Sequence, residues 1–94
     1  MHPALMLLKK IQGGKVTTYK ELARITKTSP RAIGMIMKTN PDPKSCPCYK
    51  VVGSDGRLVG YSGKGGLRTK IKLLKKDGIK IVDGKADKKY FWRF

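Results

Sequence analysis

Between Thr18 and Thr39 the sequence specifies two short helices joined by a few residues, and this pairing limits the folds open to the chain more than any other feature. Thr18 stands as an N-cap with Glu21 three residues on, the spacing of a capping box. Leu22, Ala23 and Ile25 supply the buried side of that first helix. Ser29 is a second N-cap with Pro30 in the first turn, so a second helix is expected to run to about Thr39. Joined through Thr26-Lys27-Thr28, the two read as a helix-turn-helix. Asn40-Pro41-Asp42-Pro43 must then leave helical geometry, because a proline disfavours helix in the residue before it.

The remaining elements are arranged around this pair. Pro3 to Ile11 has apolar residues at one-face spacing (Ala4, Leu7, Leu8, Ile11) and is stopped by Gln12-Gly13-Gly14. Tyr49 to Val52 is a short β-prone run, Ser54-Asp55-Gly56 a turn, and Leu58 to Tyr61 a candidate returning strand. The glycine-rich segment 60–66 reads as a loop. A last helix, from about Leu67 to Asp77, is expected to bury Leu67, Ile71 and Leu74 and to shed lysines on its other side, with Gly78 ending it. Ile79 to Gly84 is a further possible hairpin, followed by an aromatic tail of Tyr90, Phe91, Trp92 and Phe94. No repeat or linker divides these 94 residues. The expectation is a single domain over 1–94, with 79–94 a tail of unassigned structure. Its fold class is mainly α with a small β-hairpin, a winged-helix-like helix-turn-helix.

Charge narrows the partners. Twenty-two Lys and Arg stand against six Asp and Glu, a formal net charge of +16. A lysine-rich surface built for ion-pair networks would carry matching glutamate, which is nearly absent. A charge this large attracts polyanions, so nucleic acid is the expected partner, with ribosomal and chromatin proteins as competing classes. No stretch reaches the ~18 apolar residues of a membrane span, and Leu7-Leu8 runs straight into Lys9-Lys10, unlike a signal peptide. Cys46 and Cys48, one residue apart, make a poor disulfide framework, and the single histidine leaves too few ligands for zinc. The expectation is therefore a monomer with no metal and no cofactor, in a reducing intracellular compartment, cytoplasmic or nucleoid-associated.

Two segments carry chemistry. On the second helix of the pair, Arg31, Gly34 and Lys38 lie at i, i+3 and i+7 and share a face, while Ala32, Met35 and Ile36 share another. A glycine inside a helix costs about 1 kcal/mol relative to alanine. Either a nucleic-acid backbone or groove wall approaches Gly34, or another helix packs there. The second segment, Ser45-Cys46-Pro47-Cys48-Tyr49-Lys50-Val51-Val52, sets a thiol behind a proline and ahead of a cation. Nearby cations make a thiolate accessible at neutral pH, and the thiolate is the nucleophile. Cys46 reads as a small buried residue.

In order along the chain stand Gly14-Lys15-Val16-Thr17-Thr18-Tyr19, Arg31-Ala32-Ile33-Gly34, Asn40-Pro41, Pro47-Cys48, Val51-Val52-Gly53-Ser54, Gly60-Tyr61-Ser62-Gly63 and Leu73-Leu74. This ordered set resembles the catalytic domain of the O6-alkylguanine-DNA alkyltransferases, from about residue 3 to residue 78. The resemblance implies single-turnover transfer of an alkyl group from a flipped guanine in duplex DNA to Cys48. It implies that the helix bearing Arg31, Ala32, Gly34 and Lys38 enters the minor groove, with Arg31 filling the gap left by the flipped nucleotide and Lys50 adding a DNA contact. It implies further that Tyr19 helps rotate the nucleotide, that the Val51 carbonyl accepts the guanine amino group, that Tyr61 and Ser62 belong to a loop closing over the base, and that Asn40 braces the active-site turn.

The family signature Pro-Cys-His-Arg-Val is Pro47-Cys48-Tyr49-Lys50-Val51 here. Tyr49 thus replaces the histidine of the family's proton relay, and Asp77 stands where its glutamate would be. A carboxylate in a helix's last turn opposes the dipole; Asp77 is expected either to pair with the Tyr49 hydroxyl or Lys50, or to sit exposed among lysines. Tyrosine, with an ordinary pKa near 10, is a poorer base than histidine at neutral pH. Slower activation of a retained nucleophile is the expectation. A lesion-binding protein without transfer is the alternative, and a general basic nucleic-acid module a third.

Overall fold

The caps written in the sequence set the helix starts in the computed structural model, which describes residues 2–42, 45–58 and 66–94. Four helices, α1 (Pro3–Leu8), α2 (Tyr19–Thr26), α3 (Pro30–Lys38) and α4 (Gly66–Lys76), alternate with two-residue strands β1 (Thr17–Thr18), β2 (Val51–Val52), β3 (Ile81–Val82) and β4 (Lys85–Ala86). Short 3-10 turns occupy Cys48–Lys50 and Lys88–Tyr90. The fold is mainly helical with a helix-turn-helix at its centre, the class expected. No helix among the described residues is long and apolar enough to cross a membrane.

The helix-turn-helix forms for local reasons. The Thr18 hydroxyl accepts the Glu21 N–H at 3.0 Å, and the Ser29 hydroxyl accepts the Ala32 N–H at 3.1 Å; each cap stabilises its helix by about 1 kcal/mol. Between them Lys27 turns into the left-handed region (φ 56°) and the Thr28 N–H bonds back to the Ala23 carbonyl at 2.9 Å, closing α2. Leu22 and Ile33 are fully buried where the two helices meet α1, which contributes Ala4, Leu5 and Leu8.

Several expected boundaries and faces move. Helix α1 ends at Leu8, and Lys9, Lys10 and Ile11 continue only as i→i−3 turns. Val51–Val52 pairs in parallel with Thr17–Thr18, a partner the sequence reading did not foresee. Arg57 bridges antiparallel to Lys85, and residues 59–61 of the expected returning strand lie outside the described residues. The small hairpin is β3–β4, whose register pairs Ile81 with Ala86. It docks on Gly56, whose carbonyl accepts the Ala86 N–H at 2.8 Å. At Gly56 φ is +88°, and a Cβ there would run into the Ala86 carbonyl, so the position requires glycine. On α3 the buried residues are Ile33 and Met37, while Met35 is 60% exposed.

The aromatic tail is part of the fold. The Val16 N–H donates to the Tyr90 carbonyl (2.8 Å) and the Trp92 N–H to the Val16 carbonyl (2.6 Å), so the tail lies alongside the start of β1. Its aromatic side chains enter both halves of the core: Trp92 and Phe94 pack on the cluster of α1, α2 and α3, and Tyr90 and Phe91 on that of Val16, Val52, Leu58 and Leu74. Glu21 fastens the end. Its carboxylate takes two bonds from Arg24 (3.0 and 2.8 Å) and one from the Phe94 N–H (2.9 Å). The Arg24 bond, partly offset by desolvation, and then the Phe94 N–H hold Glu21 below its ordinary 4.5.

A folded pKa below the unfolded one means that the stabilisation is complete above 4.5 and is lost as pH falls through the lower folded value. Glu21→Gln should therefore reduce stability near neutrality by about 1 kcal/mol, screening included, and the gap from wild type should close in acid. Urea unfolding across that range is the check; a gap independent of pH would contradict the assignment.

Candidate active site

The turn that presents Cys48 is tied to the end of α3 by one side chain. Asn40 Nδ2 donates to the Cys46 carbonyl at 2.8 Å, and Asn40 Oδ1 accepts the Asp42 N–H at 3.0 Å. The Cys46 N–H reaches the Asp42 carbonyl (2.9 Å) and the Cys48 N–H the Cys46 carbonyl (2.7 Å), winding the chain tightly through Pro47. Both cysteines are free thiols and buried, Cys46 completely and Cys48 with 5% exposed. Cys48 opens the 3-10 turn that leads directly into β2.

Lys50 does not reach the surface, contrary to its expected role on DNA. It is 5% exposed, with Nζ 3.1 Å from Asp77 Oδ2 and donating to the Gln12 carbonyl at 3.2 Å. The 3-10 turn points it inward, toward the place where the segment after α4 meets the loop before β1. Of the partners considered for Asp77, Lys50 is in an ion pair with it. Tyr49 lies against the second core cluster, formed by Val16, Val52, Leu58 and Leu74.

The sequence reading missed Lys70. Helix α4 buries Lys70 and Leu74, whereas Leu67, expected inside, is 43% exposed. Lys70 is 1% exposed, and its Nζ donates to the Val51 carbonyl at 2.6 Å. Burial pulls its pKa from 10.5 to about 8, and negative charge on Cys48 acts in the opposite direction. A lysine rarely sits at such a position unless it is paired. The signal was available: Lys70, Leu74 and Asp77 fall at i, i+4 and i+7, one stripe of the helix. Val51, expected to accept from the base, thus already has one lone pair occupied; a carbonyl has two.

Tyr19 opens α2 and sits half-buried on the same core cluster as Cys48. Burial raises its pKa, and negative charge on Cys48 raises it further, so it stays a protonated hydroxyl at neutral pH. In front lies a cleft of about 520 Å³ lined by Tyr19, Lys20, Arg31, Gly34, Gly53 and Ser54, among others. A Cβ on Gly34 would meet nothing within 4 Å. Packing against another helix therefore does not account for this glycine, and its face opens to the cleft. Arg31 and Lys38 are exposed and Ala32 is half-buried. Tyr61 and Ser62 lie outside the described residues.

Fold and site together define a helix-turn-helix domain with a thiol held behind its second helix. The family model described as "6-O-methylguanine DNA methyltransferase, DNA binding domain" matches residues 2–79, and the chain belongs to that family. A methylated-DNA--protein-cysteine methyltransferase of Pyrobaculum aerophilum is 47% identical over 79 residues, covering 84% of this chain and 52% of that protein. A bifunctional methyltransferase/endonuclease of Picrophilus torridus is 44% identical over 87 residues, 90% of this chain and 28% of that protein. The chain thus spans about half, or less, of the length of these relatives. The O6-methylguanine-DNA methyltransferase of Pyrococcus kodakaraensis superposes with a TM-score of 0.71 at 41% identity, over 81% of this chain and 44% of that one. S. pombe Atl1, solved with damaged DNA containing O6-carboxymethylguanine, superposes with a TM-score of 0.81 over 97% of this chain and 92% of that one; at 24% identity it speaks to the fold.

With its pKa lowered from 10.5 to about 8, Lys70 binds more protons in the unfolded chain than in the folded one between those values, so its contribution to stability rises with pH across that interval. Replacing it with an apolar residue, Lys70→Met, removes the titration. The stability difference, wild type minus variant, should increase by about 3 kcal/mol from neutrality to the top of the interval, measured by urea unfolding at each pH. Parallel stability curves would contradict a buried, titrating Lys70.

Proposed function

We propose that this protein repairs DNA by direct, stoichiometric transfer of an alkyl group from O6-alkylguanine in duplex DNA to Cys48, after the damaged nucleotide is flipped out of the helix. One observation carries the reading: a buried nucleophile, fixed by Asn40, shares its core cluster with Tyr19 at the edge of an open cleft that also holds Arg31 and Gly34. The family membership and the methyltransferase relatives support the same reading.

The chemistry assigns a task to each group. The target atom is hidden in the stack, so the nucleotide must be extruded. Cations at both ends of the exposed face of α3 neutralise phosphates while Gly34 lets the groove wall approach. Arg31 takes the place vacated by the nucleotide, and Lys38 holds the backbone. At the thiol, the Cys48 sulfur attacks the alkyl carbon in line; the sulfur–carbon bond forms as the carbon–oxygen bond breaks. The electron pair passes to the guanine, which takes up one proton. Tyr19, held protonated, is the donor closest to that need. The second lone pair of the Val51 carbonyl accepts from the guanine amino group, and Tyr61 and Ser62 belong to the loop that covers the base. In the family's relay a histidine pairs with a glutamate; here Tyr49 lies against the core and Asp77 is engaged by Lys50. The positive charge of Lys70 supplies the field that a developing thiolate requires.

The same loss of the relay favours a second reading, lesion recognition without transfer. One experiment separates the two: incubate the protein with duplex carrying O6-methylguanine, digest it and weigh the peptides. A methyl increment on the Cys48 peptide is expected; tight, lesion-selective binding with unmodified Cys48 would establish binding alone, and equal affinity for plain duplex would remove both. Tyr49→His should accelerate transfer, because histidine is the better base at neutral pH; an unchanged single-turnover rate would show that the tyrosine is not limiting. Gly34→Ala separates fold from DNA contact. It should stabilise the free protein by up to about 1 kcal/mol and weaken duplex binding, read by thermal unfolding and by titration of a labelled duplex. Unchanged affinity would contradict close approach at Gly34.

A further inference from the structure

The tail does more than seal the core. Tyr90, Phe91, Trp92 and Phe94 turn inward, but Lys88, Lys89 and Arg93 between and beside them are exposed. Two of these cations, Lys88 and Arg93, line a second cleft of about 650 Å³ together with Lys20, Arg24 and Ser54. Lys20 and Ser54 also line the cleft beside Gly34, so the two form one continuous trough from α3 across the first turn of α2 to the tail. The one carboxylate in the second cleft, Glu21, is already occupied by Arg24 and the Phe94 N–H. Lys20, Lys88 and Arg93 are exposed, and the cations lining the cleft outnumber its one carboxylate.

We propose that this tail-built cleft is a second phosphate-binding surface, which takes the DNA backbone flanking the segment gripped by α3. The occupant follows from charge and placement. The excess charge is positive, and the trough is continuous with the α3 cleft. The cations are also held on a fixed frame, because the tail is hydrogen-bonded to Val16 on one side and to Glu21 on the other. A strap needed only to cover apolar surface would require its inward aromatics and nothing of Lys88 or Arg93. The duplex footprint then extends past the helix-turn-helix on the α2 side.

This inference rests on the duplex-binding reading above, and the test keeps the two apart. Binding of a labelled plain duplex is measured as a function of salt for wild type, for the double variant Lys88→Gln/Arg93→Gln, and for a charge-matched control, Lys75→Gln/Lys76→Gln, at the end of α4. All four side chains are exposed, so the substitutions leave the core intact. Two lost phosphate contacts should reduce the slope of log K against log salt by about 2 in the tail variant and leave the control at the wild-type slope. A tail variant with the wild-type slope, or a control whose slope falls equally, overturns the proposal. Failure of the wild type to bind duplex at all overturns the duplex-binding reading itself.

Discussion

The site depends on one buried contact, the ammonium of Lys70 against the Val51 carbonyl beside Cys48. Burying a cation is costly unless it is paired and hydrogen-bonded, and Lys70 meets that condition at the Val51 carbonyl. Its presence fixes α4 against β2 and puts a positive charge where a thiolate would form. Buried Lys50 and half-buried Asp77 make a second pair nearby. The two lysines divide roles that the sequence alone assigned to one: Lys50 locks the turn to the loop before β1, and Lys70 holds the Val51 carbonyl near the proposed nucleophile.

Around this contact the chain builds a continuous frame from local devices. Asn40 couples the end of α3 to the cysteine turn, joining the face proposed to meet DNA to the buried sulfur. The parallel pairing of β1 with β2 joins Tyr19, one residue past β1, to Cys48, three residues before Val51 in the Cys48–Lys50 turn. The tail then braces β1 from its other side through Val16. In a chain of 94 residues, where little surface is buried per residue, such a strap adds core that two-residue strands could not supply.

Much of this was legible in the sequence because it is local. Thr18, Ser29 and Pro30 act within three residues of themselves, so the helix-turn-helix followed from caps alone, and the spacing of Arg31 and Gly34 put them on one face. What was not legible depends on distant partners. The pairing of Val51–Val52 with Thr17–Thr18 cannot be told from a hairpin by a β-prone run, and the role of the aromatic tail appears only when Trp92 meets Val16. Lys50 and Lys70 were read as surface cations because lysine is usually exposed. Only the heptad-like stripe of Lys70, Leu74 and Asp77 marked an exception, and it was obscured by the many lysines around it. On α3 the sequence reading grouped residues by face without saying which face is buried; Ile33 and Met37 define that stripe, and Met35 lies outside it.

The most direct test of this account compares the single-turnover rate of methyl transfer by wild type and Lys70→Met as pH is raised, with the lesion duplex saturating. If Lys70 acts by favouring the thiolate, the variant is markedly slower at neutral pH and its deficit shrinks as alkali ionises the sulfur without help. A deficit that stays constant with pH would reduce Lys70 to a packing residue, and no transfer by the wild type at any pH would contradict the central claim that Cys48 is the alkyl acceptor.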